Sequence, residues 1–446
     1  MQVFTPRPWI RFARCLLVSS ALLAANGCSE RPSSPQPAES PGEAPQETPT
    51  EDAPAAPAEA LAFDREAQRP GGHIAVFVTG NAMGELEDCG CNLRPLGGLA
   101  RRVDWIRTHE SKWTARLVLD TGDLLAEESR LPEERVAQVL ERADVIVRAH
   151  VRAGYDAHAL GDRDLALGLD ALRRLTGPGR PALLAANVVS GGDGSPLFQG
   201  SAVFQRGELK IGVIGVLGSD FPRRAEQASL HGIRVEDPVE AVKREAKAVR
   251  EKGAQILLVL AHAKPETMEA IADEVPGLTA VFGSQTPRET QHPMPLGTTY
   301  LADGHEKGKH LGLLGLHVAP GATQPVFHDP AGRAVLQKKE AELTKRIASR
   351  TEAVGRAEKA GRTGNLEWLK KNLVKLKTEL QQARLSLGEM TDAPANASVI
   401  SWDLIAIDTA LPEDAVVRAA VADLLSRHPS LAGKKGPGKG QAPSAP

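Results

Sequence analysis

The sequence predicts a layered α/β domain in which helices cover mostly buried sheets. Short apolar runs rich in Val, Ile and Leu recur through the middle of the chain, and helical stretches separate them. The runs are mostly unbroken rather than alternating, which is typical of strands that are buried on both faces. Strands that alternate with helices in this way favour an α/β fold.

The predicted strands are apolar runs bounded by Gly or polar residues. They cover residues 73–79, 116–120, 157–160, 183–188, 210–216, 255–260 and 278–282. A last strand, 399–407, alternates apolar and polar residues as a half-exposed strand does. Helices are predicted at 96–108, 132–153, 238–252 and 412–425, where apolar residues recur at three-four spacing.

Two long charged helices are predicted between residues 331 and 390. The second carries a heptad-like leucine stripe, the first carries a looser apolar stripe, and a Gly-containing turn at 361–365 separates them. The simplest interpretation is an antiparallel helical hairpin inserted into a main domain of residues 71–330, which a strand and a helix at 391–430 complete. Packing explains the stripe, and a protein partner at the hairpin is the alternative.

The start of the chain has the pattern of an export signal. Three arginines precede a short apolar run, and the run ends at Ala-Asn-Gly before Cys28. This resembles a bacterial lipobox, and it predicts a signal peptide at 1–27, lipid on Cys28 and a periplasm-facing position on a cell-envelope membrane. Ser29 favours the outer membrane by the same resemblance. An ordinary N-terminal anchor, or a plain signal with a chance cysteine, would also give this pattern.

Residues 28–70 are rich in Pro, Ala and Glu and hold few apolar residues, so they predict a disordered linker. A similar disordered tail is predicted at 431–446. With 54 Lys+Arg against 56 Asp+Glu, the chain has no basic footprint for nucleic acid. Its four cysteines exclude a disulfide-stapled scaffold.

Several stretches together resemble the calcineurin-like metallophosphoesterases, in particular the secreted 5′-nucleotidase branch. They are GGLARR (97–102), LVLDTGDLL (117–125), AGYDAHALGDRD (153–164), LLAANVV (183–189), KIGVIGV (210–216), LLVLAHA (257–263), GHEKGKHLG (304–312) and DLIAIDTALPEDAVV (403–417). The resemblance implies a sandwich of two sheets flanked by helices, with metal-dependent hydrolysis of phosphoesters.

In that family, Asp and His side chains hold two metal ions. Only some of these ligand positions hold the same residues in this sequence. Asp123 and His262 match metal ligands, and Asp162 stands where the family has Asn. These three are the implied catalytic and metal-binding residues. Other ligand positions hold different residues, namely Asn81, Met83, Arg163, Ser284 and Thr286. The set predicts one metal site rather than two.

Three residues are candidates for substrate binding. Arg163, Asn81 and His305 fall on loops that border the implied site. Arg163 brings a positive charge there, and it either pairs with Asp162 or Asp164 or receives an anion.

The loop that begins at Asn81, after the first predicted strand, also carries two thiols, in Cys89-Gly90-Cys91. Thiolates beside carboxylates and an imidazole would bind zinc, iron, manganese or copper, so Cys89 and Cys91 are candidate metal ligands. A redox dithiol is a second interpretation, and an inert disulfide that stiffens the loop is a third.

Three functional hypotheses follow. The first is an envelope lipoprotein with a metallophosphoesterase-like fold and a rebuilt mononuclear metal or redox site that contains thiols. The second is a metal-dependent phosphoesterase of 5′-nucleotidase type with a reduced ligand set and an unspecified small-molecule substrate. The third is a non-enzymatic binding scaffold. The aromatic base-binding domain of 5′-nucleotidases has no counterpart in a chain with two Tyr and five Trp, which argues against nucleotide hydrolysis.

Overall fold

The computed structural model describes residues 73–89, 95–109, 112–219, 232–285, 290–304, 306–361, 364–390 and 392–432. The predicted signal peptide, Cys28 and linker lie outside the described residues. So do Cys91, Thr286, His305 and residues 433–446.

The strands are short and most are buried. They are β1 (His73–Thr79), β2 (Ala115–Asp120), β3 (Ala157–Ala159), β4 (Ala182–Leu184), β5 (Val188–Ser190), β6 (Ser201–Arg206), β7 (Leu209–Leu217), β8 (Ile233–Val235), β9 (Ile256–His262), β10 (Ala280–Gly283), β11 (Met294–Leu296), β12 (Thr299–Asp303), β13 (His310–His317), β14 (Phe327–His328) and β15 (Ser398–Ala406).

The helices are α1 (Leu99–His109), α2 (Glu133–Ala153), α3 (Leu169–Leu175), α4 (Pro238–Glu251), α5 (Pro265–Glu274), α6 (Gly332–Lys359), α7 (Leu366–Glu389) and α8 (Ala415–Arg427). Among the described residues, no helix is both long enough and apolar enough to cross a membrane.

Two large sheets form the centre of the fold. One has seven strands in the order β14-β15-β13-β1-β2-β3-β4, and the other has six in the order β11-β12-β10-β9-β7-β6. Strands β1 to β4 pair in parallel, as do β7, β9, β10 and β12, so each sheet has a parallel centre. A separate two-stranded sheet pairs β5 with β8.

Side chains of β1 show how the layers pack. Ile74, Val76 and Val78 belong to the core between the two large sheets, whereas Ala75 and Phe77 pack on the opposite face with residues of α1, α2 and α8. A third cluster joins α4 and α5 to the outer face of the six-stranded sheet. This order of helices, sheet, sheet and helices confirms the predicted sandwich.

One predicted strand was wrong, because residues 183–188 form the end of β4 and the start of β5 in different sheets. Asn187 explains the break. Its side chain donates to Leu217 O at 2.7 Å and accepts from Leu217 N at 2.9 Å, so it takes the place of a backbone ladder. Strand β6 was missed because four of its six residues are only partly buried and its sequence is mixed.

Helices α6 and α7 form the inserted hairpin that the sequence predicts. They lie between β14 and β15, and Leu343 and Leu376 are buried. The ion pairs Arg384–Glu340 at 2.7 Å and Lys370–Glu358 at 2.9 Å match an antiparallel arrangement. The leucine stripe therefore serves packing, at least in part, while the domain limits stay predictions.

Asp414 fixes the last helix to the body of the protein. Its carboxylate accepts from Val416 N and Val417 N at 3.1 Å as the N-cap of α8, and it pairs with Arg107 at 2.6 Å and Arg152 at 2.7 Å. We expect Asp414→Ala to lower the free energy of unfolding by about 2 kcal/mol, since it removes a cap and two ion pairs.

Asp414→Asn keeps a capping oxygen and loses only the charge, so it should cost about half as much. Denaturant unfolding of the two variants checks this. Equal losses for Ala and Asn would show that the cap contributes nothing.

Candidate metal centre

Three strand ends bring the candidate ligands together. Asp123 follows β2 and Asp162 follows β3 in the seven-stranded sheet, whereas His262 is the last residue of β9 in the six-stranded sheet. Ligand sites of α/β folds lie at the carboxyl ends of parallel strands. One ligand atom from each of the three residues lies within 4.8 Å of the others, and all three side chains are buried.

The imidazole of His262 lies between the two carboxylates. Its Nε2 is 3.1 Å from Asp162 Oδ1 and 3.4 Å from Asp123 Oδ1. Burial alone would lower the pKa of His262, but the charges of Asp123 and Asp162 outweigh it and raise the pKa to about 9. The pocket therefore favours positive charge at this point.

The opposite ring nitrogen of His262 is fixed by a hydrogen-bond chain. Ser284 Oγ lies 2.7 Å from His262 Nδ1 and donates to Thr121 O at 3.1 Å, so Nδ1 is the donor in the first contact. In the neutral form of the ring, Nε2 therefore carries the lone pair, and this atom faces the two carboxylates. The amide of Gln285 lies 2.9 Å from this Nε2. Such a partner on the far nitrogen is typical of metal-binding histidines.

Asp123 adopts a left-handed backbone conformation, with φ of 51°. The main-chain N–H of Arg163 donates to its Oδ1 at 2.9 Å, and the Arg163 Nε lies 3.2 Å from its Oδ2. The sequence left open whether Arg163 pairs with Asp162 or Asp164 or receives an anion. The ion pair with Asp123 was not among these alternatives, and it forms because the turn after β3 brings the guanidinium back onto Asp123.

Asp164 ties the two carboxylate-bearing loops together. Its Oδ1 accepts from Leu125 N at 2.8 Å and its Oδ2 accepts from Gly161 N at 3.0 Å. Burial raises the pKa of Asp164 to about 7. This residue holds the loops that carry Asp123 and Asp162 at a fixed distance.

The other predicted site residues lie around this group. Asn81 follows β1 and its side chain donates to Ser284 O, so it joins the first loop to the end of β10. Cys89 is half-buried, its N–H donates to Leu96 O at 2.9 Å, and it is not a member of the group of three ligands. With Cys91 and His305 outside the described residues, thiol ligands and a His305 contact stay predictions.

The sequence does not indicate the residues that support His262. Neither Gln285 nor the carbonyl of Thr121 follows from it, and Ser284 appears in it only as a replaced ligand. One feature of the sequence could have identified Ser284 and Gln285 as site residues. Both directly follow the apolar strand β10, and site residues lie at strand ends.

The three side chains fit a divalent metal ion. Two carboxylate oxygens and one imidazole nitrogen suit Mn²⁺, Fe²⁺ or Zn²⁺, and the fixed Nδ1 leaves Nε2 as the donor atom. Three acceptor atoms that converge in a buried pocket also need a cation among them, either a proton or a metal.

No family model matches the sequence. Over 207 residues the chain is 28% identical to a probable 5′-nucleotidase of Treponema pallidum, and this match covers 45% of the chain and 33% of the relative. The matched segment thus spans about a third of that protein's length.

Two solved structures from Thermus thermophilus share the fold. The sulfate thiohydrolase SoxB has a TM-score of 0.55 at 15% identity, covering 81% of this chain and 62% of that one. A 5′-nucleotidase precursor has a TM-score of 0.53 at 17% identity, covering 80% and 59%.

The fold and the strand-end site define an α/β protein with the metallophosphoesterase sandwich. The chain is related in sequence to 5′-nucleotidases, and this confirms the resemblance to the calcineurin-like metallophosphoesterase superfamily.

Proposed function

We propose that the protein is a metal-dependent phosphoesterase that works with one divalent cation held by Asp123, Asp162 and His262. The observation that carries the proposal is the buried convergence of their three ligand atoms within 4.8 Å. Relatedness to a probable 5′-nucleotidase supports a phosphoester as the substrate class.

The residues around the site have separate roles in this proposal. When bound, the cation supplies Lewis-acid polarisation of a phosphoryl oxygen and a more acidic water. Ser284 orients the His262 ring, and Asp164 keeps the two carboxylate loops in register. Arg163 adds positive charge at the partly exposed edge of the site.

The proposal places the protein in the bacterial cell envelope, anchored by lipid on Cys28 and facing the periplasm. Sequence alone supports the anchor, through the apolar run before Cys28 and the Pro-rich segment after it. The α6–α7 hairpin could also bind a protein partner. Trp368, Val374 and Leu385, which are exposed apolar residues of α7, support this part of the proposal.

Metal titration of the protein without residues 1–28 tests the site. We expect about one Mn²⁺ or Zn²⁺ per chain, and at least about hundredfold weaker binding for Asp123→Asn and His262→Gln, because each removes a ligand from a three-ligand site. Metal-dependent hydrolysis of bis(p-nitrophenyl) phosphate should disappear in the same variants.

Asp170→Asn is the matched control, since Asp170 is an acidic residue with an 87% exposed side chain. A double Cys89→Ser, Cys91→Ser variant separates the two site hypotheses. It keeps its metal if the three-ligand site is right, and it loses the metal if thiolates are ligands. A wild-type protein that binds no cation would remove the proposal.

A further inference from the structure

Each of the two oxygens of Asp123 lies beside a different positive or metal-binding group. Oδ1 lies 3.4 Å from His262 Nε2, on the side of the candidate metal site. Oδ2 lies 3.2 Å from the Nε of Arg163. The carboxylate therefore stands between the position of the proposed cation and a guanidinium.

Several contacts hold Arg163 in this place. Its main-chain N–H donates to Asp123 Oδ1 at 2.9 Å, and its Nη1 donates to Glu127 O at 2.8 Å and contacts Met83 Sδ at 2.8 Å. About a quarter of the side chain is nonetheless open to solvent, at 28% exposure. The guanidinium is thus fixed against Asp123 and still within reach of a dissolved anion.

A count of charges shows what the site can hold. The carboxylates of Asp123 and Asp162 contribute two negative charges, the Arg163 guanidinium contributes one positive charge, and a metal-bound imidazole is neutral. The Asp164 carboxyl, which two main-chain N–H groups hold, is outside this count. One divalent cation then brings the three counted side chains to a net charge of about +1, which attracts an anion. A second divalent cation on Asp123 would stand beside the guanidinium and be repelled by it.

We propose that Arg163 is the second cation of this site. Its guanidinium occupies the side of Asp123 that a second metal ion would need, and it binds one oxygen of a phosphate ester while the divalent cation binds another. This inference rests on the proposed function. It predicts one metal ion per chain and makes Arg163 a phosphate-binding residue.

The test titrates divalent metal and then inorganic phosphate into wild-type protein and Arg163→Gln. Removal of the guanidinium should strengthen cation binding severalfold, because a repelling charge is gone from Asp123. It should weaken phosphate binding to the metal-loaded protein by at least about tenfold, because a charge-assisted contact is lost. Arg163→Lys keeps the positive charge but loses the planar pair of guanidinium donors, so it should give an intermediate phosphate affinity.

Arg173→Gln is the control, an exposed arginine on α3 that should change neither titration. Unchanged phosphate affinity in metal-loaded Arg163→Gln would overturn the inference and leave the proposed function standing. Two metal ions per wild-type chain would overturn the inference and would also contradict the single-cation site of the proposed function. Absence of metal binding by the wild-type protein would overturn both together.

Discussion

Gly161→Ala is expected to abolish cation binding and to lower the free energy of unfolding by about 3 kcal/mol. Gly161 lies in the turn after β3, one residue before Asp162. A Cβ atom at this position would lie 2.0 Å from Asp123 N and 2.2 Å from Asp123 Oδ1. Both distances are far inside van der Waals contact, and a main-chain nitrogen cannot swing away as a flexible side chain can.

The strain would fall on both candidate carboxylates. Gly161 N donates to Asp164 Oδ2 at 3.0 Å, and Asp164 also holds Leu125 N at 2.8 Å, so a shift of the turn pulls on both ligand loops. Displacements of about 1 Å are enough to spoil a metal site. Metal titration and thermal unfolding of the same sample measure the two effects.

Gly355→Ala is the control for the loss of a glycine. Gly355 lies inside α6, and a Cβ there meets no atom within 4 Å. Alanine should therefore stabilise that helix by up to about 1 kcal/mol. Wild-type metal affinity in Gly161→Ala would show that the turn can relax, and that the proposed site does not depend on this close approach.

Much of the fold could be predicted because its strands are buried on both faces. Unbroken apolar runs such as β1 and β9 have few alternatives, and their boundaries were predicted within a few residues. Strands β11 and β12 were missed because their polar and Gly-rich surroundings give no clear pattern. Pairing across the sheets, rather than local sequence, makes them strands.

The candidate site was predicted in part through the resemblance, which implied Asp123, Asp162 and His262. Parallel pairing of β2 and β3 explains why the two aspartates lie at one edge of the seven-stranded sheet, whereas His262 comes from the other sheet. The hydrogen bond between Ser284 and His262 depends on contact between neighbouring strand ends 22 residues apart, which no local motif records. The ion pair of Arg163 with Asp123 depends likewise on how one turn folds back on another.

A buried histidine pair is a feature that the sequence did not reveal. His150 of α2 and His158 of β3 are almost fully buried, and their Nδ1 and Nε2 atoms lie 3.0 Å apart. The ring of Tyr155 stacks on His150 with centroids 3.7 Å apart. Arg102 lies 3.4 Å from His150 Nε2, so the surroundings of the pair already carry positive charge.

This pair should make the fold sensitive to acid. Burial, helped by the charge of Arg102, lowers the pKa of His158 to about 3, and burial lowers the pKa of His150 well below its usual value. In the unfolded chain both titrate near 6.5. Between pH 6.5 and 3 the unfolded state therefore binds protons that this pair excludes in the folded state, so the contribution of the pair to stability falls as the pH falls. Asp164, whose pKa burial raises to about 7, acts in the opposite direction over the upper part of this range.

The expected loss from His158 is about 1.4 kcal/mol per pH unit, or on the order of 5 kcal/mol across the interval. Denaturant unfolding between pH 7 and 4 measures the slope. His158→Asn keeps a polar side chain that cannot titrate in this range, so its slope should be shallower by that amount. Gly355→Ala, which removes no titratable group, should keep the wild-type slope. If His158→Asn loses stability with acid as steeply as the wild type, then protons enter the folded state at other groups. The buried pair would then not be the cause of the loss of folding stability at low pH.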